Sequence, residues 1–204
     1  MGNRPTIGDA AMMSSLKGQY LVAMPGMQDE RFQETVIYLV AHGEEGAMGL
    51  VVNKRMPDLT FGDILEELNL GEPEELIRLP DRVRDLQVLR GGPVESGRGF
   101  VLHTPDYFRK GNSYAVDDAV CLTATIDILK ALAHGEGPKK SLLALGYCGW
   151  SPGQLEGELQ ANGWLTVEAG EDLLFGVPVE DRYDTALGEL GVNRAFLSSE
   201  GGSA

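Results

Sequence analysis

The chain has 204 residues, enough for one domain to bury roughly 70% of its unfolded surface, and a 43% hydrophobic content supplies the core. Asp and Glu total 31 against 17 Lys and Arg, a formal net charge of −14 that opposes attraction to phosphate backbones and anionic membranes. With no basic run, no signal-peptide core and no apolar stretch of membrane-span length, direct nucleic-acid binding, secretion and membrane insertion are not expected.

Residues 1–18, MGNRPTIGDAAMMSSLKG, read as a flexible lead-in. Met1, Gly2 and Thr6 fit the myristoylation pattern M-G-x-x-x-[ST], which is short enough to arise by chance. A single domain over 19–191 follows, and 192–204, ending SSEGGSA, read as a flexible tail. Residues 20–24 are expected as a strand stopped by Pro25-Gly26, and the β-branched run 35–41 as a central strand. Residues 43–46 turn it into a strand over 48–52, with Asn53 and Lys54 at its far end. Thr60 as N-cap, Asp63 three residues on and a Leu59–Ile64 staple start a helix that buries Ile64, Leu65 and Leu68 and closes at Gly71. The acidic stretch 72–81 reads as a short helix or surface loop.

Strand character resumes over 86–89, running into Arg90-Gly91-Gly92-Pro93-Val94, and again over 99–103. Residues 114–122 read as extended; 125–134 read as a helix with Ile126, Leu129, Leu132 and Ala133 inward, stopped by Gly135, Gly137 and Pro138. In SLLALGYCGWSPGQLEGELQANGW, residues 141–164, the run 142–145 predicts a strand covered on both faces, and Gly146 and Gly149 a sharp turn. Ser151 as N-cap, Pro152 at the first helical position, Gln154 as reciprocal acceptor and a Trp150–Leu155 staple then predict a helix. On it Leu155, Glu158, Leu159 and Asn162 share one face, so a carboxylate on the apolar stripe needs a partner. Residues 164–167 and 173–175 are expected as strands, and 181–190 as a last helix burying Ala186, Leu187 and Leu190. No repeat of 20 to 50 residues appears, which excludes solenoids and propellers.

Chemistry is sparse. Cys121 and Cys148 lack CxxC spacing and read as reduced thiols of a cytoplasmic protein. Cys148 stands just ahead of a helix, where a thiol can be activated, but Trp150 occupies the position where a nucleophile elbow needs glycine, and a buried cysteine behaves as a small hydrophobe. His42 and His103 end predicted strands and are expected to hold loops by hydrogen bonds, while His134 caps a helix. None has zinc-site spacing, so neither a metal nor a cofactor is expected. Glycine, 27 of 204 or about 13% against the usual ~7%, is read as bends in a curved sheet, since GGPV lacks the phosphate-loop patterns.

In order, YLVAMPGMQDERF, VIYLVAHGEEGAMGLVVNK, LRGGPV, GFVLH, LALGYCGWSPGQLEGEL and NGWL resemble the YqgE/AlgH family over nearly the whole chain from Gln19 to about Gly191. The resemblance implies a bacterial protein with an α+β fold, a mixed, partly barrel-like β-sheet surrounded by helices, and it carries the label of transcriptional regulator. Where the family pattern has alanine in GYAGW this chain has Cys148, which argues against a catalytic thiol. The expected function is a non-catalytic regulatory or ligand-binding protein that acts on transcription indirectly and takes a small molecule or a protein as partner. Its candidate surface gathers Asn53, Gly91, Gly92, His103, Trp150, Gln154 and Glu158, polar or glycine residues at element ends that match the family motifs. The alternative is a small-molecule hydrolase or transferase using Glu158 with a histidine; with His103 as that histidine, the two must lie within hydrogen-bond reach, directly or through one water or substrate.

Overall fold

A computed structural model describes residues 15–70, 79–84 and 86–192. The myristoylation pattern, the helix stop at Gly71, most of the 72–81 stretch and the tail from 193 lie outside the described residues.

Strands β1 (Tyr20–Ala23), β2 (Val36–Gly43) and β3 (Gly46–Val51) form a meander, and β4 (Arg55–Thr60) leads into helix α1 (Phe61–Glu67). After α2 (Asp81–Arg84) come β5 (Gln87–Arg90), β6 (Val94–His103), β7 (Ser113–Ala115), β8 (Cys121–Thr123) and α3 (Ile126–Ala133). Then follow β9 (Ser141–Trp150), α4 (Gln154–Gln160), β10 (Trp164–Val167), α5 (Asp172–Phe175) and α6 (Arg182–Glu189). The strands of the described residues make one mixed ten-stranded sheet in the order β10-β1-β2-β3-β9-β6-β8-β7, with β5 joined parallel to β9 and β4 antiparallel to β5. The sheet curls as a partial barrel with helices around it, an α+β fold. No helix of the described residues is long and apolar enough to cross a membrane.

Strands β1 and β2 are buried on both faces, which is why their sequences are apolar throughout instead of alternating. Tyr20, Val22, Val36, Tyr38 and Val40 enter one core, while Leu21, Ala23, Ile37 and Leu39 enter another on the opposite face. A third core lies under α1 and α3, where Phe61, Leu65, Ile128 and Leu143 meet. The capping box of α1 is present, with the Thr60 hydroxyl accepting from the Asp63 N–H and the Asp63 carboxylate from the Thr60 N–H.

β9 is the hub. Its first half pairs with β6 on one side and β5 on the other, and its last residues take β3 in place of β5. The turn expected at Gly146 and Gly149 is therefore a bend inside one continuous strand. Gly146 has φ +75°, and the side-chain alternation slips by one across it. Leu142 and Ala144 belong to the first core and so does the following odd-numbered Tyr147, while Cys148 and Trp150 point into the second. The bend is permitted because Gly91, Gly92 and Gly146 cross backbone to backbone: a Cβ on Gly91 would stand 2.2 Å from the Gly146 carbonyl oxygen.

Other expectations need correction. Residues 173–175 are helical in α5, not a strand; a three-residue apolar run has no period that separates the two. Ile126 is 49% exposed and Ile128 is buried in its place, and Leu68 and Leu190 are also exposed. Strand β4 was not legible, because its RMPDLT sequence is polar, carries a proline and, among the described residues, pairs only with β5. Residues 15–18, placed in the flexible lead-in, are tied down: Leu16 is buried and the Gly18 N–H donates to the Leu39 carbonyl at 2.8 Å.

Candidate functional site

At the end of β9, Ser151-Pro152-Gly153-Gln154 make a tight turn, closed by the Gln154 N–H on the Ser151 carbonyl at 3.0 Å. Gly153 has φ 76° and ψ −6°, the third-residue values of a type II turn, with proline at the favoured second place. A helix cannot include that conformation, so α4 starts at Gln154 with Gly153 as N-cap and, among the described residues, without a side-chain cap. The expected Ser151 cap is thus absent. The other half of the box exists: Gln154 Oε1 accepts from the Ser151 N–H at 3.0 Å.

One turn along α4, Glu158 gathers the site. Its Oε2 accepts the Trp150 indole N–H at 3.0 Å and the Trp164 indole N–H at 2.8 Å, while Oε1 accepts the Gln154 amide at 3.0 Å. Both indoles are buried and meet edge to face, with centroids 6.4 Å apart at 82°. Phe32 packs edge-on against Trp164 at 5.7 Å, from a short 3₁₀ turn, Glu30–Phe32, that Asp29 caps. Asp29 also takes the Arg31 guanidinium at 2.7 Å, and these hydrogen bonds hold its carboxyl below the usual carboxylate range. Between the Asp29–Phe32 turn and α4 opens a cleft of about 380 Å³, lined by Arg31, Phe32, Trp150, Gln154, Glu158 and Trp164 among others.

Of the seven residues expected to form one surface, three come together and four do not. Trp150, Gln154 and Glu158 meet in the cleft. Gly91 and Gly92 lie behind it and serve the backbone crossing; the Gly91 carbonyl accepts from the Val51 N–H at 2.8 Å and from the Cys148 thiol at 3.7 Å. Asn53 accepts from the Val36 N–H and donates to the Glu34 carbonyl, both at 2.8 Å, pinning the entry to β2. His103 is fully buried and pairs with Ser141, the first residue of β9, whereas Glu158 is bonded to Trp150, the last. A straight ten-residue strand would span roughly 30 Å at about 3.3 Å per residue, and Ser141 and Trp150 are its two end residues. Both ring nitrogens of His103 are engaged elsewhere: Nδ1–H donates to the Thr104 carbonyl at 2.9 Å and Nε2 accepts from the Thr123 hydroxyl at 2.8 Å. No direct hydrogen bond joins Glu158 to His103, and each side chain is held by other partners.

The histidine that reaches α4 is His42. Its Nδ1 accepts the Leu16 N–H at 3.0 Å, which fixes the tautomer, and Nε2–H donates to Glu156 Oε1 at 2.9 Å. Burial pushes the Cys148 thiol up to about 12, with the Glu158 charge adding to it, so at neutral pH it is a protonated hydrophobe. Among the described residues no group of three or more His, Cys, Asp or Glu side chains could hold a metal ion. Asp29, Arg31, Phe32 and Trp164 were absent from the expected surface. Their motifs, QDERF and NGWL, were visible, but nothing in their spacing placed them beside Trp150.

Comparison with known proteins gives one consistent relation. A family model described as AlgH-like matches residues 20–195. A UPF0301 protein of Rhodopseudomonas palustris strain HaA2 is 53% identical over 189 residues, covering 93% of this chain and 87% of the relative. A UPF0301 protein of Methylobacterium sp. strain 4-46 is 53% identical over 197 residues, covering 97% and 94%. Among solved structures, the AlgH protein from Pseudomonas aeruginosa superimposes with a TM-score of 0.75 at 40% identity, covering 97% of this chain and 100% of that one. A Corynebacterium diphtheriae protein shares the fold at a TM-score of 0.64 and 19% identity, covering 83% of this chain and 84% of that one.

Proposed function

The chain belongs to the AlgH-like family, and from that premise we propose that it is a non-catalytic binding protein whose Trp150–Trp164 cleft receives an apolar or aromatic group of a small molecule or partner protein. The observation that carries this reading is the single carboxylate of Glu158 holding two indoles and Gln154 in fixed positions along one wall of the cleft. Such a wall is pre-organised, so a ligand does not have to order it on binding. Glu158 Oε2 accepts from both indoles and Oε1 from the Gln154 amide, which leaves the carboxylate poorly placed to exchange protons with a substrate. The protonated Cys148 and the remote His103 also favour binding over catalysis. Any effect on transcription is exerted through that ligand or partner, because a net charge of −14 opposes contact with DNA. Cys121 and Cys148, both free and buried, fit a reducing compartment, and we place the protein in the cytoplasm.

The chain has only two tryptophans and both line the cleft, so intrinsic tryptophan emission reports on this site alone. Metabolites retained by the purified protein, identified by mass spectrometry, should shift or quench that emission, and Gln154→Ala should weaken the response. Retained compounds that leave the emission of both indoles unchanged would sink this reading.

A further inference from the structure

At the other end of β9 lies a second cavity, of about 490 Å³. Arg55, Lys139, Lys140 and Arg182 line it, and among the described residues no carboxylate does. In a chain with 31 acidic and 17 basic residues, this is a local reversal of the overall sign. Arg182, at the start of α6, is only 6% exposed and donates to three carbonyls, those of Val52, Leu174 and Val177. Those partners are neutral, so a charged guanidinium is held at low dielectric without a bonded carboxylate among the described residues. Arg55 and Lys140 are about half exposed, and pair with Glu180 at 2.8 Å and Glu171 at 3.3 Å. Both pairs reach solvent and are weak enough for a bound anion to replace the carboxylates. Lys139 is fixed through its backbone N–H, which donates to the Asp106 carboxylate at 3.0 Å, and its charge acts on that carboxylate through space. The rest of the wall is largely apolar, with Leu142, Phe175 and Val179.

We propose that this cavity binds a small organic phosphate, its phosphoryl group set among Arg55, Lys139, Lys140 and Arg182 and its uncharged body against Leu142, Phe175 and Val179. Arginine matches phosphate oxygens in pairs and lysine adds a point charge; a dianion uses several cations where a monocarboxylate would leave some unmatched. The volume lies within the range of about 300–1,000 Å³ typical of small-molecule sites. This site is independent of the Glu158 cleft and stands or falls without it.

The test is a titration of ¹⁵N-labelled full-length protein at constant ionic strength with phenyl phosphate, inorganic phosphate and phenol. Phenyl phosphate should move the Ser141 and Gly176 amide signals saturably, and bind about tenfold more tightly than either of the other two. Replacing Lys139 and Lys140 together by glutamine should weaken it by about tenfold or more while leaving the melting temperature unchanged. Arg182 is left in place because its three carbonyl bonds support the fold. The proposal is overturned if no signal moves, if phenol binds as well as phenyl phosphate, if the double variant binds normally, or if chloride reproduces the shifts.

Discussion

Glu158 shows how much one side chain can organise. Glu158→Ala would leave two buried indole N–H groups without their acceptor, and at about 1–3 kcal/mol for each such donor the expected loss is about 2–6 kcal/mol in urea unfolding. Glu158→Gln keeps a carbonyl acceptor and should lose clearly less; equal losses would mean that the charge and not the acceptor holds the indoles. Ser151→Ala should change stability by less than about 0.5 kcal/mol, since α4 takes no cap from that hydroxyl, and a loss in the usual capping range of about 0.5–2 kcal/mol would restore the expected cap. His103 gives a pH dependence. Burial, its leading influence, lowers its pKa in the fold, while the unfolded ring titrates near its ordinary value of about 6.5. Below that value the unfolded chain binds the extra proton first, so this contribution is complete above it and is lost as the pH falls, until the folded ring also protonates. The urea midpoint of the native protein should therefore drop more between about pH 7.5 and about pH 5.5 than that of His103→Asn. Parallel pH profiles would remove His103 as the cause.

At the scale of elements, the crossing of the β5–β6 connection over β9 decides where the cleft falls. Gly91→Ala would force a Cβ against the Gly146 backbone, which cannot swing aside as a side chain would, and should cost about 3 kcal/mol or more. Gly97→Ala has nothing within 4 Å of its new methyl and should change stability by less than about 0.5 kcal/mol, making it the control in thermal unfolding. Comparable losses at both glycines would show that chain entropy, and not the close approach, sets the cost.

For the whole molecule, the acidic balance predicts no retardation of a duplex promoter fragment at about 0.15 M salt. Tight, salt-sensitive retardation by pure protein would restore direct regulation. The four cations of the second cavity do not alter this expectation, because they are gathered in a concave site and do not form an exposed stripe along a groove-sized surface.

Sequence alone determined the features that depend on neighbours along the chain. The β1 and β2 runs, the α1 capping box, the amphipathic α3 and the apolar face of α4 with its misplaced carboxylate follow from spacing, caps and turn residues. The ordered motifs of the AlgH-like pattern carried the fold class with them. Tertiary structure decided what depends on crossings between distant segments. Gly146 reads the same in sequence whether it turns a strand back or bends it onward; the choice rests on β3, β5 and β6 converging on β9. That bend shifts the side-chain alternation by one residue, and this turns Trp150 toward Trp164 and Glu158, and so toward Phe32 and Arg31 from the first strand connection. His103 and Glu158, alike as polar residues in family motifs, were separated by the same strand, because β9 is long enough to hold them at opposite ends.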